Sequence, residues 1–285
     1  STGQHGLLGY EVLDPARDQV FNELTWEDGP VPEAWQPRRT VFETLEAAGV
    51  AVTRIGPHFF DGSGLTRAAL RGGRFLAARS LADRVEATVQ AVHATPSAVV
   101  YLYWGDVDKV GHVHGCESWQ WGDELEAVDR GLHELASRLP RDCSLTITAD
   151  HGMVDCRPED RLDVATTPGL AAGLRHYAGE PRAPQLHCLP GAVVVVRAAW
   201  QEVLGDTAEI LTRADYVASG LLGEVSEEHL GRVGDLMVTM KAGYSVVDSR
   251  VHRPELIALV GLHGSTTPDE VLVPVVHLPA AAALG

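Results

Sequence analysis

The chain has 285 residues, with 23 Lys and Arg against 39 Asp and Glu, a formal net charge of −16. That balance excludes a nucleic-acid scaffold, whose phosphate partners need basic surface. It leaves small phosphate esters open, because bound cations can supply positive charge locally. No apolar run approaches the ~20 residues that span a bilayer.

Length and composition fit one large α/β domain or two small ones. Four cysteines (Cys116, Cys143, Cys156 and Cys188), none in a C-x-x-C pair, do not make a disulfide framework. Reduced thiols and a cytoplasmic setting are therefore expected. The chain opens STGQHGLLGY, with neither Met nor a signal-like segment. Residues ahead of Ser1, and any targeting signal with them, are expected to be missing.

In chain order, Val41, Leu45 and Ala48 give helical spacing over 40–48, with Gly49 as the C-terminal cap and a strand over 50–55. The 62–66 stretch, GSGLT, reads as a turn and lacks the third glycine of a dinucleotide fingerprint. Leu81, Val85, Val89 and Val92 make a second amphipathic helix, ended at Thr95-Pro96. The run 99–104, VVYLYW, is continuously apolar, as a strand covered on both faces should be. Trp121, Leu125, Val128, Leu132, Leu135 and Leu139 form a core-facing helical stripe stopped by Pro140. A short strand follows over 144–149.

Strand, helix, strand in that order predicts a parallel sheet with helices packed on it. From 166 to 244 prolines break the pattern, which suggests an inserted subdomain or cap. Within it a strand is expected over 192–196 and helix over 208–222. The segment 256–276 returns to apolar runs.

Three polar clusters follow strand-like runs. They are Asp108-Lys109-Val110-Gly111-His112, Asp150-His151-Gly152 and His263-Gly264. Loops leaving the carboxyl ends of parallel strands converge on one crevice, so clusters far apart in sequence can meet. Asp and His suit Zn²⁺ and related divalent ions. Asp108 and His112, four apart, share a face if they start a helix. Any one Asp-His pair is usually solvated surface; the case rests on the three together. His114 is expected to support His112 from behind. His5 is read as structural, and the remaining histidines, His187 among them, as surface or core residues without a role. Trp104 is a core strand residue or a contact for a base or aryl group.

D-x-x-G-H, then A-D-H-G-M, then a late H-G ahead of Val273-Pro274-Val275, resembles the metal-ligand order of the alkaline phosphatase superfamily. Its nucleotide pyrophosphatase/phosphodiesterase branch is the most similar. His5-Gly6-Leu7-Leu8-Gly9-Tyr10 looks like that branch's H-G-I-x-G-Y segment, and 261–275 looks like its last ligand segment.

The resemblance implies an α/β/α sandwich with a mostly parallel central sheet, forming one domain over 1–285 with 166–244 as the cap. It implies two divalent metals, usually zinc. Asp108, His112 and His263 would hold one, and Asp150 with His151 the other. It places a further Asp ligand, on the first strand, and a Thr or Ser nucleophile ahead of Ser1. The implied reaction is in-line phosphoryl transfer through a covalent intermediate, between metals ~3.5–4 Å apart.

The implied substrate is a small phosphate diester or a nucleotide. The absence of an arginine-rich clamp near the motifs suits a diester better than a monoester. The expectation is that the intact protein is the hydrolase, whereas this stretch alone can hold metal without turnover. A sulfatase, a phosphomonoesterase, a phosphoglycerate mutase and an inactive metal-binding fragment are the alternatives. Asp160 and Ala192 stand where the arginine of C-x-P-x-R would follow Cys156 and Cys188.

Overall fold

The computed structural model describes residues 2–280, so Ser1 and 281–285 lie outside it. The chain is mixed α/β and divides into two compact units.

One unit comprises 31–110, 118–150 and the segment from 273 onward. Its three-stranded parallel sheet has Ala51–Gly56 in the centre, with Arg74–Ala77 and Ala98–Leu102 on either side. The helix Val41–Ala47 begins at a capping box in which Thr40 accepts from the Glu43 amide and Glu43 from the Thr40 amide. Gly49, at φ +81°, closes the same helix in the left-handed conformation. The helix Leu81–Ala94 starts the same way, on Ser80 and Asp83. Ser63 caps the helix Gly64–Ala69, so of the 62–66 stretch read as a turn only Gly62 and Ser63 lie outside a helix.

Val85 and Val89 pack with Leu135 of the helix Trp119–Arg138, and Leu145 joins them. The stripe on that long helix is only partly used: Leu135 is buried, while Leu125 is 45% exposed. Leu145–Thr148 is a strand, as expected. Its partner is the antiparallel Val275–Leu278, and Ala98–Leu102 pairs with Ala51–Gly56. Ala98–Leu102 is not covered on both faces either, since Val99 and Tyr101 are more than a third exposed.

The other unit comprises the N-terminus to Pro30, 111–117 and 151–272. A hairpin of Glu11–Asp14 and Gln19–Asn22 opens it. Its main sheet is antiparallel, in the order Ala208–Thr212, Leu236–Met240, Ala183–Cys188, Leu174–Glu180.

Two expectations within 166–244 are overturned here. The valine run after Gly191 begins the helix Val193–Leu204, not a strand. Val196, Trp200 and Leu204 recur every four residues and are buried against the sheet, and that helical burial outweighs the β preference of branched side chains. The 208–222 stretch is a strand over Ala208–Thr212, because Leu236–Met240 pairs with it; only Arg213–Ala218 is helical.

Candidate metal centre

Asp106–His114 is a helix, so Asp108 and His112 stand one turn apart on one face. Beyond it Gly115, at φ +85°, turns the chain, and the Asp155 carboxylate accepts from the Cys116 amide at 2.7 Å. Val154–Asp155 pairs antiparallel with Gly261–Leu262. That pairing brings His151, three residues before one strand, towards His263, directly after the other. The Val260 amide donates to the His112 carbonyl at 2.8 Å, which ties the helix end to the same strand.

The result is a cluster of three imidazoles. His151 and His263 stack at 3.5 Å between centroids and 17° between planes, and the His112 ring lies 5.2 Å from His263. His263 is 5% exposed. A carbonyl oxygen can only accept, so ring nitrogens facing carbonyls carry the proton. His112 Nδ1 faces the Gly261 carbonyl at 2.7 Å, and His151 Nδ1 faces the Gly152 carbonyl at 2.9 Å. His263 Nδ1 faces the Glu180 carboxylate at 3.3 Å. With Nδ1 held in this way, Nε2 is the nitrogen each ring can offer a metal, the arrangement in which histidine ligates metal while its other nitrogen is held by a carbonyl or carboxylate. Tyr10 Oη sits 3.4 Å from His263 Nε2.

Asp108 and Asp150 belong to the other unit, where both act on one phenol. Burial pushes Tyr103 up to about 12, and the charges of Asp150 and then Asp108 add to that rise. The chain joins these acids to the imidazoles directly: Asp108 through one helical turn to His112, Asp150 through one peptide bond to His151. Asp108, His112 and His263 form a group of donors that could hold a metal ion. Their chemistry, one carboxylate and two imidazoles, suits a zinc-like divalent ion. Asp150 and His151 enter no such group of three among the described residues.

The glycines beside the histidines are needed. Gly264 has φ +117°, outside the range most side chains adopt, and a Cβ there would meet Glu180. A Cβ on Gly152 would collide with the Asp269 carbonyl. Behind both loops lies a buried ion pair. Arg182 donates to Glu270 from Nε at 2.8 Å and Nη2 at 2.6 Å. Glu270 also accepts from the Ser265 amide and the Thr267 hydroxyl, and its own carbonyl accepts from the Gly152 amide at 2.7 Å.

Sequence reasoning missed Glu180 and Arg182. Both flank Pro181 in the irregular stretch, where no motif marks them. Trp104 follows its strand, donates to Glu124 and is covered by the Arg84 guanidinium at 4.5 Å.

An α/β chain with these donors at strand and helix ends has the alkaline phosphatase-like fold, and solved structures bear that out. Human ectonucleotide pyrophosphatase/phosphodiesterase 5 superposes with a TM-score of 0.73 at 18% identity, over 97% of this chain and 72% of that one. An inactive murine form of the same protein, in complex with AMP, gives 0.72 at 19% identity, over 98% and 74%. Residues 1–266 match the Type I phosphodiesterase / nucleotide pyrophosphatase family, and the chain belongs to that family.

Among curated relatives, the human family member 5 is 25% identical over 169 residues, 56% of this chain and 35% of that protein. The phosphopentomutase of Deinococcus radiodurans is 30% identical over 119 residues, 41% of this chain and 28% of the mutase. The matched stretch is thus about a third of these relatives' length.

Proposed function

We propose that the protein is a metal-dependent hydrolase of phosphodiester or pyrophosphate bonds acting on a nucleotide-like small molecule. The observation that carries the reading is the set of three imidazoles, each with Nδ1 facing a carbonyl or carboxylate, with Asp108 one helical turn from His112. Family membership supports it, and so does the AMP complex of the murine relative.

In this reading Asp108, His112 and His263 hold one divalent ion, since one carboxylate and two imidazoles make a donor set that suits it. Asp150 and His151 contribute to a second. Zinc is the favoured ion for both. Bound ions would supply positive charge to the phosphoryl oxygens and lower the pKa of a hydroxyl. The chain's own part is to hold the ligands in place. Glu180 orients His263, the Gly261 carbonyl orients His112, and the Arg182–Glu270 pair fixes the loops that carry His151 and His263.

The test is hydrolysis of bis-p-nitrophenyl phosphate by the protein loaded with zinc. Faster turnover of the diester than of p-nitrophenyl phosphate or the sulfate ester is expected. Preference for either of the latter would overturn the reading. The similarity to phosphopentomutases favours a second reading, phosphoryl transfer within a sugar phosphate. Isomerisation of a pentose phosphate without release of phosphate would select it.

A further inference from the structure

Residues 2–10 form a strap that ends at the imidazole cluster, and buried side chains fasten it. His229 Nδ1 donates to the Gly3 carbonyl at 3.0 Å, Arg232 Nη1 to the Gly6 carbonyl at 3.0 Å, and Gln185 Nε2 to the Leu8 carbonyl at 3.1 Å. These three residues are 2%, 9% and 4% exposed. The Glu23 amide donates to the Tyr10 carbonyl at 2.6 Å. Gly6, at φ +72°, suits the strap because a Cβ there would meet His229 and Arg232.

The fastened strap delivers Tyr10. Its ring meets His263 edge-on, 5.6 Å between centroids and 72° between planes, and its hydroxyl lies 3.4 Å from His263 Nε2. Glu180 faces Nδ1 of the same imidazole, and a carboxylate can only accept. In the neutral ring the proton is therefore on Nδ1, and the phenol donates to the lone pair of Nε2. That lone pair is the one a metal ion needs. It serves one partner at a time, so ion and phenol exclude each other at this nitrogen.

Tyr10 is partly exposed, so its side chain can turn away while the clasp holds its backbone. The group Asp108, His112 and His263 supplies three donors, which leaves the fourth position of a tetrahedral ion to a substrate oxygen. A phenol displaced from Nε2 has that oxygen as its nearest new acceptor.

We infer that Tyr10 has two positions: its O–H rests on His263 when the site is empty and donates to a phosphoryl oxygen of the substrate when the site is filled. It thus competes with metal uptake and, once displaced, binds the phosphate ester. The inference rests on the reading above, that Asp108, His112 and His263 hold a divalent ion.

The experiment is isothermal titration of wild type and Tyr10→Phe with zinc, then of the two zinc-loaded proteins with inorganic phosphate. Phenylalanine keeps the ring and removes only the hydroxyl. Zinc should bind Tyr10→Phe about two- to ten-fold more tightly, because one hydrogen bond no longer competes. Phosphate should bind it about ten-fold or more weakly, because a hydrogen bond to a charged group is lost. The opposite signs distinguish this role from a structural one, since a slackened strap would weaken both. Tyr10→Leu, which also lacks the hydroxyl, should shift both affinities the same way, and circular dichroism shows that each variant folds. Zinc binding that is unchanged or weaker in the folded variants, or phosphate binding that is unchanged, would overturn the inference. A folded wild type that takes up no zinc would instead overturn the reading on which it rests.

Discussion

Replacing Glu270 by Gln should make this protein unfold far more easily, although Glu270 is not one of the candidate metal donors. Four donors converge on the two Glu270 oxygens: Nε of Arg182 and the Ser265 amide on one, Nη2 of Arg182 and the Thr267 hydroxyl on the other. Glutamine puts an NH₂ in place of one acceptor, so a donor of Arg182 then faces another donor. It also leaves the guanidinium, which is 0% exposed, without a counter-charge. Removing one partner of such a buried pair costs about 3–5 kcal/mol. With roughly 2–4 °C per kcal/mol for a unit of this size, Tm should fall by about 6–20 °C.

Burial raises the Glu270 carboxyl, but the hydrogen bonds from Arg182 and Thr267 outweigh it and hold the group below the ordinary glutamate range. A carboxyl lowered on folding stabilises above its unfolded pKa, and that contribution is lost as pH falls through the folded value. The gap between wild type and variant should therefore narrow in acid. Thermal melts at pH 7 and at steps below pH 5 measure both effects. Exchange of the Gly152 amide, held by the Glu270 carbonyl, reports the loop directly. A Tm within about 2 °C of wild type, with an unchanged acid profile, would refute the reasoning.

Glu180→Gln should weaken zinc binding by about 10–100-fold, since the carboxylate orients His263; isothermal titration at pH 7 reads this. Gly264→Ala should cost more than about 1 kcal/mol, because alanine is strained at φ +117°; urea midpoints measure it. Burial closes off the Cys156 and Cys188 thiols, pushing Cys188 up to about 11, whereas Cys116 and Cys143 are partly exposed. Iodoacetamide at pH 8 should therefore label Cys116 and, more slowly because burial raises its thiol too, Cys143, but neither buried thiol until the protein is unfolded; mass spectrometry of the labelled chain decides.

The candidate Asp and His clusters were legible because each is a short motif with fixed spacing next to an apolar run. Asp108 and His112 needed only a helix to share a face, and the helix is there. The helix caps at Thr40 and Ser80 were written locally as well. What the sequence concealed depends on distant partners. The valines after Gly191 follow the burial of Val196, Trp200 and Leu204 rather than their β preference. Strand Ala208–Thr212 exists because Leu236–Met240 lies beside it. Glu180 reaches His263 across 83 positions of chain, and Arg182 reaches Glu270 across 88. Neither pairing leaves a local pattern to read.

The most direct test of the account is metal content per chain after dialysis, measured by elemental analysis on the wild type and on His263→Ala. At least one zinc-like divalent ion per wild-type chain, lost in the variant while the fold is kept, is the predicted result. A folded wild-type chain that retains no metal, and takes up none when titrated with zinc, would contradict it.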